Sequence, residues 1–215
     1  MTSALLYKEF RETGGVALLG AGALLAVASS SMGWWLVLFA NAGGRIPFVS
    51  DTFQVYFSIV AGLLAIALGL RQSLADFSGD SYFFLLHRPV SRATIYGSKI
   101  IVGLLLYLVS AAPPILLSAW WAAVPGTHAS SFSWSMTVGV WMGLLSITIV
   151  YLGAMLSGLR PAAWLGTRLA PVAAACLLAI VAAMLPWWAG ILLIGLADAA
   201  LVSLILLVAD TRDFP

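Results

Sequence analysis

Apolar residues run in six long blocks, Val16 to Ala40, Phe53 to Leu70, Ile100 to Ala123, Trp134 to Ser157, Leu169 to Leu185 and Ile191 to Ala209, with short polar connections between them. Each block is near the roughly 20 residues a helix needs to cross about 30 Å of hydrocarbon, so the pattern predicts six transmembrane helices. No hydrophilic stretch is long enough for a second domain, so residues 1–215 read as one all-α membrane domain. Ahead of the first block, Ser3, Leu6, Tyr7, Phe10 and Gly14 share one helical face while Lys8, Glu9, Arg11 and Glu12 lie mainly on the other. That is the pattern of an interfacial helix, with a frayed tail as the other reading. Ala26-Val27-Ala28 before Ser29 also mimics a signal-peptidase site, and cleavage stays an alternative. The acidic Glu9 and Glu12, and the apolar run from Met32 to Ala40, favour retention as a first span.

The one long polar interruption is Arg71 to Lys99, RQSLADFSGDSYFFLLHRPVSRATIYGSK. Asp80 or Ser81 can cap a short helix carrying Tyr82, Phe83, Phe84, Leu85 and Leu86, which Pro89 ends. Ser91 is a second capping candidate, after which Arg92, Ile95, Tyr96 and Lys99 run without a breaker into the third span.

Composition excludes a soluble domain: the chain is 62% hydrophobic and 8% charged, with mean hydropathy +1.06. Charge then orients the spans. With the amino terminus inside, Lys8, Arg11, Arg71, Arg88, Arg92, Lys99, Arg160, Arg168 and Arg212 are cytoplasmic, and only Arg45 is outside. Trp34, Trp35, Trp120, Trp121, Trp134, Trp187 and Trp188 fall at or near the outer ends, where indole prefers the interface. Both termini and the Arg71 to Lys99 loop are therefore expected in the cytoplasm, and the basic residues form no nucleic-acid patch. The single cysteine, Cys176, excludes an intrachain disulfide.

Asp76, Gly79, the Leu85-Leu86 pair, Pro89 to Arg92 and Lys99 give the loop a pattern that resembles the cytoplasmic loop of type-2 ATP-binding-cassette (ABC) permeases. Asp76 stands where that family often has glutamate, and Asp80 where it often has threonine. The resemblance implies a coupling helix between spans 2 and 3 that seats in a groove of a separate cytoplasmic ATPase, with Asp76, Gly79, Phe83, Leu85, Leu86, Pro89 and Arg92 at the contact. It also implies an amino-terminal elbow, a second permease copy or homologue, an inner (plasma) membrane location and export of a cargo. The chain has no G-x-x-x-x-G-K-[ST] loop, so ATP and magnesium are expected on the partner and no cofactor on this chain. The connection from Pro186 to Gly190 is shorter than the external re-entrant segment of many members.

Within the spans, Gly139, Gly143, Ser146, Gly153 and Ser157 make a small-residue strip for close helix approach, within the chain or between copies. Pro113 and Pro114 interrupt the third span, as a static bend or as part of a pathway. Ser29, Ser30 and Ser31 either bond back to their own helix or face a polar interior. Asp198 lies near the middle of the last span, where an ionised carboxylate costs roughly 2.5–3.5 kcal/mol, so it is expected to face protein or a cavity. A protonated or hydrogen-bonded packing residue and a residue with a transport role are both open readings.

An intramembrane enzyme is the rival class, and the residue inventory argues against it. His87 and His128 fall on opposite sides, and neither H-E-x-x-H nor a nucleophile-elbow serine is present. The scattered carboxylates and Cys176 give no metal set. A non-catalytic membrane scaffold or immunity protein is the remaining alternative, against which only the patterned loop speaks.

Overall fold

The computed structural model describes residues 2–32, 48, 51–74, 91–124, 132–160 and 165–211. They form six long helices: α1 (Thr2–Ser31), α2 (Asp51–Leu74), α3 (Arg92–Ala123), α4 (Val138–Leu159), α5 (Leu165–Met184) and α6 (Trp187–Thr211). A 3-10 turn, Trp134–Thr137, leads into α4. All six are long and apolar enough to cross a membrane, and no strand occurs among the described residues. The expected all-α membrane fold is thus present, with each span boundary within about four residues of its helix except in the first span and at the start of the third, where α3 begins eight residues before Ile100.

That first span needs correction. The interfacial segment is no separate elbow: α1 runs unbroken from Thr2 to Ser31 through Gly14 and Gly15. Two glycines cost roughly 1 kcal/mol each relative to alanine, and there is no proline to force a break. The Thr13 hydroxyl donates to the Glu9 carbonyl at 2.6 Å inside this stretch. The faces are also reversed from those of a soluble amphipathic helix. Tyr7 is 69% exposed, whereas Glu9 is 3% exposed. The remainder of the expected first span, from residue 33 to Ala40, lies outside the described residues.

α4 is the axis of the bundle: every residue from Ser146 to Leu159 is buried. It packs against α2, α5 and α6, while α1 lies across α2 and α3, and α3 also meets α6. The helices alternate in direction, since the end of α2 meets both the start of α3, at Gln72 and Lys99, and the end of α4, at Ser73 and Gly158. Gly190 marks the tightest hairpin. A Cβ there would meet the Ala182 carbonyl and the Met142 methyl, so only glycine lets α5 and α6 follow the Leu185-Pro186 connection so closely.

The small-residue strip on α4 serves packing within the chain. Gly153 faces Ala175 and the Pro171 carbonyl of α5, and the Val172 N–H donates to Ser157 Oγ at 3.1 Å. Gly143 faces Ser58, and Gln54 Nε2 donates to the Gly139 carbonyl at 3.5 Å, both from α2. Such close approach gives van der Waals contact along whole helices, the main source of helix association in lipid.

Candidate functional site: a buried polar junction at the base of the loop

Four helices converge on a polar cluster near the end of the bundle where α1 starts and α2 finishes. Lys99 is the centre. Its Nζ lies 3.2 Å from Glu9 Oε1 on α1 and donates to the Gln72 carbonyl on α2 at 3.1 Å. The Gln72 carbonyl is in the last turn of α2, where carbonyls lack intrahelical partners and a cation is favoured by the helix dipole. Gln72 returns the bond: its Nε2 donates to the Lys99 carbonyl at 3.0 Å. From α4, the Tyr151 hydroxyl donates to Gln72 Oε1 at 2.5 Å and lies 3.3 Å from the Lys99 carbonyl.

Gly103 makes room for this arrangement. It stands one turn after Lys99 on α3, and a Cβ there would run into the Tyr151 hydroxyl and Gln72 Oε1. Glu9, Gln72 and Lys99 are all buried, and so is Tyr151. Burying an ammonium and a carboxylate is costly even when they pair, so the cluster is better read as fixing geometry than as adding stability. Chemically it is a clamp: one lysine ties α1, α2 and α3 together, and one glutamine ties them to α4.

α2 ends two residues after Gln72, and α3 begins seven residues before Lys99. Ser91 caps α3 as expected, accepting the Thr94 N–H at 3.2 Å. Arg92 Nη1 donates to the Ala209 and Asp210 carbonyls at 3.2 and 3.3 Å, closing the end of α6 onto the start of α3. Part of its guanidinium is therefore committed to the bundle. Asp76, Gly79, Phe83, Leu85, Leu86 and Pro89, with the expected short helix, lie outside the described residues.

The residues expected along a pathway are not brought together by hydrogen bonds. Ser30 Oγ donates to the Ala26 carbonyl at 2.6 Å, and Ser29 and Ser31 likewise bond within α1, at its end rather than mid-span. α3 continues through both prolines, with Pro114 buried and Pro113 exposed. Asp198 sits between α6 and α4, where Oδ2 is 2.7 Å from Thr148 Oγ1 and Oδ1 is buried without a hydrogen-bond partner. No group of three metal-ligating side chains occurs among the described residues.

Sequence reasoning set Glu9 on the polar face of an interfacial helix, whereas Glu9 and Lys99 are both buried inside the bundle. Gln72, Gly103, Tyr151 and Thr148 were not singled out. The available signal was the four-residue spacing of Glu9, Thr13 and Ala17, all now on the buried face of α1. No protein-family model, curated protein or solved structure matches the chain.

Proposed function

We propose that the chain is the membrane-spanning permease subunit of an ATP-driven exporter of the type-2 ABC class. In this reading two copies, or one copy and a homologue, line the path, and a separate cytoplasmic ATPase binds ATP and magnesium. The protein resides in the cell's inner (plasma) membrane with both termini in the cytoplasm, on the strength of the nine-to-one distribution of basic residues.

The observation that supports the reading most is the clamp between α2 and α3, the two helices that residues 75–90 connect. A segment that receives force from an ATPase has to be anchored to elements that move as a unit. Residues 75–90 connect α2, which carries Gln72, to α3, which carries Lys99, and these two residues exchange hydrogen bonds at 3.0 and 3.1 Å. A displacement of the loop is then delivered at once to α2 and α3, to α1 through Glu9, and to α4 through Tyr151. The patterned loop and the six apolar helices supply the rest of the argument.

The test is to purify the chain with the ATPase produced alongside it, place the complex in lipid vesicles, and compare Mg-ATP hydrolysis with that of the ATPase alone. Hydrolysis by the complex should exceed that of the isolated ATPase. Equal rates, or no stable complex, would favour the scaffold reading.

A further inference from the structure

Thr148 Oγ1 has two close oxygen neighbours, the Leu145 carbonyl and Asp198 Oδ2, each at 2.7 Å. Both separations are typical of O–H···O hydrogen bonds, about 2.7–2.8 Å. A hydroxyl carries one hydrogen. A carbonyl oxygen can only accept, so the Thr148 proton satisfies Leu145, its partner one turn back on α4. The second contact then needs a hydrogen from the other side. If Asp198 were ionised, one of these pairs would hold two lone-pair oxygens face to face at bonding distance with no proton between them.

We infer that Asp198 is held as a neutral carboxylic acid whose Oδ2–H donates to Thr148, which makes the Asp198–Thr148 pair a proton-binding site on the α4–α6 seam. The surroundings agree on independent grounds. The seam is lined by Met142, Ile149, Ile194 and Ala197, an apolar cluster. Asp198 makes no ion pair among the described residues. Its Oδ1 is buried without a hydrogen-bond partner, which a full carboxylate charge would make far more costly than the carbonyl oxygen of a neutral acid.

The ionisable groups on the helices packed against α6 are Tyr151 on α4, Arg92, Tyr96, Lys99 and Tyr107 on α3, and Arg168 and Cys176 on α5. The cations are committed or distant. Arg92 reaches Ala209, about 16 Å along α6 from Asp198 at ~1.5 Å per residue. Lys99 pairs with Glu9. Arg168 is one turn before Val172, which bonds Ser157, about 14 Å along α4 from Thr148. Tyr107 and Tyr151 donate to the Leu144 carbonyl and to Gln72.

The inference does not depend on the transport proposal, and the intact wild-type chain can test it. Six aspartates, Asp51, Asp76, Asp80, Asp198, Asp210 and Asp213, would carry a carboxyl-13C label in the full chain in lipid vesicles. At neutral pH, infrared or solid-state NMR spectra should show about one-sixth of the label as protonated acid. That signal should vanish in Asp198→Asn and move to a more weakly hydrogen-bonded position in Thr148→Val. Asp198→Asn should keep the wild-type melting midpoint, because its amide N–H can replace the acid O–H. A spectrum in which all six labels are carboxylate, or a protonated signal that survives Asp198→Asn, overturns the inference. An acid signal unmoved in Thr148→Val overturns the pairing.

Discussion

Lys99 on α3 and Glu9 on α1 form an ion pair at 3.2 Å with side chains 1% and 4% exposed. At that burial the pair answers to desolvation more than to attraction. Removing one member strands the other, whereas removing both removes the problem. Glu9→Leu or Lys99→Met alone should cost about 3–5 kcal/mol, and the two together should cost less than either single change. Denaturant unfolding in detergent measures all three. Losses that simply add would mean that the two charges do not interact.

Gly103 offers a purely steric test of the same junction. A methyl group at this position collides with the Tyr151 hydroxyl and Gln72 Oε1. Gly103→Ala should destabilise by about 1–3 kcal/mol, as overpacking does in a tight interior, and Gly103→Val by more. Gly62→Ala is the control, because nothing lies within 4 Å of a Cβ there. Equal melting midpoints for Gly103→Ala and Gly62→Ala would contradict the close approach of α2, α3 and α4.

The number of spans, the Ser91 cap and the self-bonded serines of α1 were all legible, because each depends on local chain chemistry. Helix length follows from apolar run length, and a cap follows from a serine beside a free N–H. The clamp was not legible, and Glu9 shows why. Its neighbours Leu6, Tyr7 and Phe10 mark an apolar face, and in water the apolar face is the buried one. With lipid as the solvent that rule inverts: Tyr7 and Phe10 turn outward, and the acidic residue turns in. Gln72 and Tyr151 stand 79 positions apart, and no local pattern reports a contact made by helix packing. Likewise Asp198 was visible as an anomaly, but its partner Thr148, 50 positions away, was not.

Orientation in the membrane has its own check. Cysteines placed at Gly44 and Thr127 should react with an impermeant thiol reagent in intact cells, while one at Ser78 should not. The expectation follows from the bias of nine basic residues to one, which is strong when loops are short. Labelling at Ser78 alone would invert the topology and put the loop out of reach of a cytoplasmic partner.

The transport proposal stands or falls on the loop between α2 and α3. Phe83 and Leu86 are three residues apart and would share one face of a short helix, an apolar contact suited to a groove on a soluble partner. Neither side chain belongs to the six apolar spans, so the double variant Phe83→Asp, Leu86→Asp should still insert and keep its oligomer size. The deciding measurement is Mg-ATP hydrolysis by the purified complex in vesicles, wild type against double variant, with co-purification of the ATPase scored on the same samples. The account predicts that bound ATPase and stimulated hydrolysis fall together. A double variant that keeps its ATPase and full stimulated turnover would contradict it, and the chain would then be better read as a membrane scaffold.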